Sequence, residues 1–252
     1  MVQPNADELR MPLLDHIREL RKRLLVCVWT MLACFVVSFV FANDAFAFLA
    51  APMNEALKAT GAGTLAVTEA MEGFIVQMKV AGLCALFLAS PVLSWQTWGF
   101  VAPGLYAHER RRVVPLVVSS TLLFVAGAAF AYQVVFRYGF PFLLQANGPE
   151  IKAVLSINSY LGMVTTLLLA FGLSFQLPII IYFLVRIGLV DHVDLIRGFR
   201  YSVVAIFVAA AILTPSPDML SQCLMAGPLL LLYLVGIVIA WVFSTKKRLP
   251  AG

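Results

Sequence analysis

Glu109 stands directly before Arg110, Arg111 and Arg112, at the end of an aromatic, proline-containing segment that begins Trp98-Gly99-Phe100-Val101-Ala102-Pro103-Gly104. A carboxylate beside three guanidinium groups can neutralise them or take part in binding; as an exposed ion pair it contributes only about 0–1 kcal/mol. A second carboxylate, Glu19, lies among Arg18, Arg21, Lys22 and Arg23 and is spaced to pair with Arg23 four residues on. Within apolar stretches the polar candidates are Lys79, Gln176, and the pair Asp218 and Gln222. Lys79 is close enough to a span end to snorkel. Gln176 is deeper and two residues from Pro178, whose ring frees a backbone carbonyl, so it needs a partner or water. Asp218 suits a helix N-terminus, where a carboxylate caps N–H groups and meets a favourable dipole. His16, His108 and His192 show no ligand spacing beyond a single His16-x-x-Glu19, and no nucleophile motif, phosphate loop or His-Glu-x-x-His occurs. No metal or cofactor is expected, and an enzyme is disfavoured.

The elements that must position these residues are membrane helices. Of 252 residues, 62% are hydrophobic and 12% charged, about half the charge of a soluble domain. The expected fold is all-α, a polytopic membrane protein with six transmembrane helices forming one integral membrane domain over residues 1–252. The apolar runs place the spans near 24–42, 73–93, 113–136, 160–185, 201–213 and 219–243. The fifth run, stopped by Thr214-Pro215-Ser216-Pro217, is short against the roughly 20 residues a bilayer requires, which implies local thinning or a shallow crossing. Ahead of the first span, residues 12–23 carry Pro12 in a first helical turn. Leu13, Ile17, Leu20 and Leu24 share one face, as in an amphipathic arm lying on the inner membrane surface. Phe46, Phe48, Leu49 and Met53 around Pro52 suggest a short interfacial helix in the first external loop, and Pro178 should kink the fourth span. Cys27, Cys34, Cys84 and Cys223 form no Cys-x-x-Cys pair and read as small apolar residues. The charged first twenty residues are not those of a cleavable signal peptide.

The net charge of +5 could suggest nucleic acid, but the bases sit in short clusters between apolar runs. Fourteen of the eighteen fall in the N-terminal arm, the 94–112 turn, the 186–200 loop and the tail; the others are Lys58, Lys79, Arg137 and Lys152. The positive-inside rule puts those four segments in the cytoplasm, and an even number of spans puts both termini there.

Taken together, the clusters resemble the TatC family, the core of the twin-arginine protein translocase. Pro12-Leu13-Leu14-Asp15-His16-Ile17-Arg18-Glu19-Leu20-Arg21-Lys22-Arg23-Leu24 is similar to the family's N-terminal signature. Similar patterns follow in order: Ala51-Pro52; Gln96-Thr97-Trp98 through Gly104-Leu105 into His108-Glu109-Arg110; Ala170-Phe171-Gly172 through Leu177-Pro178; and Leu213-Thr214-Pro215-Ser216-Pro217-Asp218 with Ser221-Gln222. The resemblance covers nearly the whole chain. It implies a multi-pass protein of the bacterial cytoplasmic membrane that recognises twin-arginine signal peptides. With TatA- and TatB-like single-span partners it would transport folded proteins, driven by the proton-motive force. By resemblance, Glu19 and Glu109 read the arginine pair with Arg21 and Phe100 nearby, and Thr214 and Gln222 meet partner helices. Gln176 departs from the glutamate of several relatives, so a role requiring an ionised group does not carry over.

Two other classes fit parts of the pattern. A small-solute transporter would use proline-broken helices and an intramembrane polar group, yet no repeated halves are visible. An assembly scaffold would leave both cytoplasmic carboxylates dispensable.

Overall fold

The computed structural model describes residues 6–61, 63–101, 113–146, 153–213 and 219–243. Lipid offers no hydrogen-bond partner to a backbone, so long apolar stretches close their N–H and C=O groups internally as helices. Among the described residues these are α1 (Ala6–Val40), α2 (Ala42–Thr60), α3 (Glu72–Val101), α4 (Val113–Phe130), α5 (Arg137–Ala146), α6 (Ile157–Ser174), α7 (Leu177–Arg186), α8 (His192–Leu213) and α9 (Met219–Phe243). A π-helical segment, Ala131–Phe136, joins α4 to α5 without a break. Six stretches are long and apolar enough to cross a membrane: His16–Val40, Glu72–Val101, Val113–Phe142, Ile157–Arg186, His192–Leu213 and Met225–Phe243. The expected six-helix membrane architecture is the one observed.

Three elements differ from the sequence expectation. The arm 12–23 does not lie apart from the first span: α1 runs through both, because no glycine or proline interrupts residues 13–40. The fifth helix begins at His192 rather than 201 and is 22 residues long, its first turns carrying Asp194, Arg197 and Arg200 ahead of the apolar run. Its start is set by Asp194, whose carboxylate accepts the Asp191 backbone N–H at 3.1 Å, the reach-back half of a capping box. The stretch after the first span holds the 19-residue α2, closed by Gly61 in the left-handed conformation (φ 64°). After it comes a strand, β1 (Gly63–Ala66), which pairs in parallel with β2 (Ala153–Ser156), Gly63 opposite Ala153 and Ala66 opposite Ser156.

The fourth crossing breaks at Phe175 and Gln176, and Pro178 stands in the first turn of α7, where a missing N–H costs nothing. Pro91 and Pro52 are instead inside helices. Each removes the N–H that would bond the carbonyl four residues back. Both freed carbonyls receive a hydroxyl: Ser90 Oγ donates to Phe87 O at 2.7 Å, and Tyr132 OH to Phe48 O at 2.8 Å. Tyr160 OH donates to the next carbonyl, Leu49 O, at 2.6 Å.

The core lies where α3, the π segment and α6 meet, with Val80, Phe136, Leu161, Val164 and Phe171 fully buried. The helix α3 packs on α1, α4 and α6, while α7 and α8 both pack on α9. A methyl group added at Gly127 of α4 would fall on the Phe171 backbone carbonyl of α6, so glycine sets that close approach. The outward faces of α1 (Leu24, Trp29, Leu32, Val36) and α8 (Val204, Val208, Ile212) are exposed and apolar, as a lipid-facing surface must be.

Candidate functional site

The polar residues of α1 converge on the end of α3. His16, Glu19 and Arg23 are three, four and seven residues apart and so share one helix face. Arg23 donates to Glu19 Oε1 through Nε at 3.0 Å and Nη2 at 2.6 Å. Its third nitrogen, Nη1, makes two longer contacts of 3.5 Å with the backbone oxygen and side-chain Oε1 of Gln96 on α3. One turn further along α3, Phe100 stacks on the His16 ring, centroids 4.4 Å apart and planes inclined by 22°. Gly99 leaves room for the Arg23 guanidinium, which a Cβ there would overlap. The result is a carboxylate, a guanidinium and an aromatic face at the junction of two helices.

Of the residues singled out by sequence, the structure therefore brings Glu19 and Phe100 to one junction. Arg21 is exposed and sits two positions along from Glu19, about 200° around the helix, so the fold does not join it to that face. Glu109 and Thr214 lie outside the described residues.

The intramembrane candidates are engaged within the protein. Gln176, half-buried at the α6–α7 break, donates from Nε2 to the Ser120 backbone oxygen of α4 at 3.0 Å. The Ser120 hydroxyl accepts the indole N–H of Trp98 on α3 at 2.7 Å, and Trp98 meets the ring of Phe183 on α7 edge-on. A neutral amide thus fastens the broken fourth crossing to α4. Gln222 on α9 donates from Nε2 to Phe207 O of α8 at 2.9 Å, tying the last two crossings. Lys79 donates from Nζ to Asn158 Oδ1 at 2.6 Å, so it has a protein partner as well as a route to the interface.

Sequence reasoning missed Glu72. It is 2% exposed. Its Oε1 accepts from Ser156 Oγ at 2.6 Å and the Asn158 N–H at 2.7 Å. Its Oε2 accepts from the Thr68 N–H, the Thr68 hydroxyl at 3.0 Å and the Glu69 N–H at 3.2 Å. One carboxylate thereby joins the exit of β1, the start of α3, the end of β2 and the first turn of α6. The only local signal was an acid in the first turn of a helix. The stacking of His16 on Phe100 and the Trp98–Ser120 bond were likewise unmarked in sequence.

Comparison with known proteins agrees with this architecture. Residues 15–228 match the family model of the Sec-independent protein translocase protein TatC. A TatC from Halothiobacillus neapolitanus is 44% identical over 95% of this chain, which spans 64% of that protein. The TatC proteins of Azotobacter chroococcum and Escherichia coli K12 are 42% and 40% identical over 93% and 94% of this chain, each covered to 91% of its own length. A crystal structure described as the twin arginine translocase receptor TatC superposes with a TM-score of 0.81 at 36% identity, covering 91% of this chain and all of that one. The chain therefore belongs to the TatC family, the multi-pass inner-membrane subunits of the Sec-independent protein translocase.

Proposed function

We propose that Glu19 and Glu109 together form the cytoplasmic site for the arginine pair of twin-arginine signal peptides, with Phe100 beside it and Arg21 on another face of α1. The observation that carries this reading is that Glu19 already holds a guanidinium through two N–H donors, at the helix junction that also presents Phe100. A planar fork of this kind is what arginine, and not lysine, offers a carboxylate. Glu109 is assigned from its place in the sequence, before three arginines on the segment that follows Phe100.

In this reading both termini are cytoplasmic, and the chain works in a membrane complex with TatA- and TatB-like single-span proteins. Thr214 and Gln222 supply polar groups that such helices meet, and Gln176 is a further intramembrane polar group. The proton-motive force drives passage of folded cargo, a transport role rather than catalysis.

The test is cross-linking and affinity with a twin-arginine peptide and its twin-lysine counterpart on protein held in nanodiscs. If each charge-assisted contact contributes about 1.5–3 kcal/mol, Glu19→Gln or Glu109→Gln should weaken binding roughly ten- to a hundredfold, and the double variant should largely abolish it. Unchanged binding in a folded double variant would overturn the assignment, and a loss confined to Glu109→Gln would move the site off α1.

A further inference from the structure

The carboxylate and the aromatic ring assigned to the arginine site stand on different helices, Glu19 on α1 and Phe100 on α3, so the site exists only while the two are held together. The end of α3 is fixed from within the bundle. Trp98, two residues before Phe100, is buried, donates its indole N–H to Ser120 Oγ of α4 at 2.7 Å and meets the Phe183 ring of α7 edge-on. The facing turns of α1 have no buried side chain: every residue from His16 to Lys22 is exposed. A helix end without a packed face frays, because its backbone bonds alone barely offset the cost of ordering it. Arg23 reaches Gln96 through two long contacts of 3.5 Å, whereas His16 lays its ring nearly flat on Phe100, planes inclined by 22°. Among the described residues the imidazole makes no hydrogen bond or ion pair, so the ring itself is what engages α3.

We infer that His16 is a positioning residue for the signal-peptide site: its ring, stacked on Phe100, holds the turn of α1 that carries Glu19 against the end of α3. This rests on the assignment of Glu19 and Phe100 to the arginine pair. His16 and Glu19 are three residues apart on one helix face, so a contact made by the first fixes where the second stands. The same stack restricts the Phe100 ring to one orientation while leaving it partly exposed to a ligand. His16 touches no peptide in this scheme. It raises the fraction of molecules in which carboxylate and ring are already in place, and the apparent affinity of a site scales with that fraction. Losing the stack can therefore cost no more than the stack is worth, which for an aromatic pair is about two- to tenfold.

The experiment measures fluorescence anisotropy of a labelled twin-arginine peptide on the full chain in nanodiscs, with thermal unfolding of each variant alongside. His16→Gln, which keeps polar groups but no ring, should weaken binding about two- to tenfold. His16→Phe, which keeps a ring but no nitrogen, should rescue it. Retained binding in His16→Gln with loss in His16→Phe overturns the inference, because the nitrogens would then be contacting the peptide. Tighter binding in His16→Gln overturns it too, since the ring would then be covering Phe100 rather than placing it. His16→Leu is a second ringless variant that serves if the glutamine form does not fold. A cycle with Phe100→Ala tests the route: once that ring is gone, His16→Gln should cost nothing further, and equal losses in both backgrounds mean that His16 does not act through Phe100. Glu19→Gln and Phe100→Ala also separate the two levels. If neither weakens binding, the assignment of the site has failed; if both do and His16→Gln does not, only the role of His16 has failed.

Discussion

Glu19 and Glu72 are the same residue type in opposite circumstances, and the difference decides what each can do. The Glu72 oxygens are both saturated, each by at least one backbone N–H, from Asn158 on one side and from Thr68 and Glu69 on the other. A buried charge is tolerable only when paired in this way. It follows that even the isosteric Glu72→Gln should destabilise the protein, because whichever way the amide turns, its NH2 faces a backbone N–H. We expect a loss of about 1–3 kcal/mol, the cost of leaving a buried donor unsatisfied, read as a lowered midpoint of thermal unfolding in detergent. A variant as stable as the parent would show that the carboxylate is not what holds the loops. Glu19, by contrast, is half exposed with one oxygen engaged, so its partner can be exchanged. Sequence distinguished these two only partly. Glu19 could be paired with Arg23 from spacing alone, whereas the Ser156 and Asn158 partners of Glu72 are 84 and 86 residues away.

At the scale of elements, apolar length made the crossings legible, since only helices satisfy a backbone in lipid. What it could not supply was continuity and long-range partnership. The join of arm to first span in α1, and the start of α8 nine residues before its apolar run, depend on charged residues that a hydropathy reading assigns to loops. The four-residue strands β1 and β2 pair between distant parts of the chain and carry no local pattern of their own. Prolines were visible as points of broken helix bonding, but the hydroxyls that repair them were not. Tyr132 is 84 residues from the Phe48 carbonyl it serves. This repair predicts a coupling. Tyr132→Phe should cost about 1 kcal/mol of stability, a typical net hydrogen bond. In a Pro52→Ala background the cost should shrink, because the backbone N–H that alanine restores at that position can then reach the same carbonyl. Thermal unfolding of the parent, both single variants and the double variant measures it; strictly additive effects would mean that what the Tyr132 hydroxyl contributes does not depend on the carbonyl that Pro52 frees.

For the whole molecule, the two polar centres stand at opposite ends of α3: the Glu72 cap at its start and the Arg23–Glu19 junction at its end. Charge is the basis on which we propose which end faces the cytoplasm. The bases of the α1 arm, the segment after α3, the region around the α7–α8 turn and the tail make up fourteen of eighteen. The helix order carries all four to one side, since each is separated from the next by an even number of crossings. The cost of carrying clustered bases across a bilayer is the ground on which we propose that side as the cytoplasmic one. The proposed arginine site requires this orientation, because a signal peptide meets the translocase before export. Val67, between β1 and α3, and Leu189, between α7 and α8, are exposed and lie at opposite ends of the bundle. With Cys27, Cys34, Cys84 and Cys223 replaced, a cysteine at Val67 should react with an impermeant maleimide in right-side-out membrane vesicles. One at Leu189 should react only in inverted vesicles. Labelling of Leu189→Cys in sealed right-side-out vesicles would reverse the molecule, and it would put Glu19 on the side that signal peptides reach only after transport.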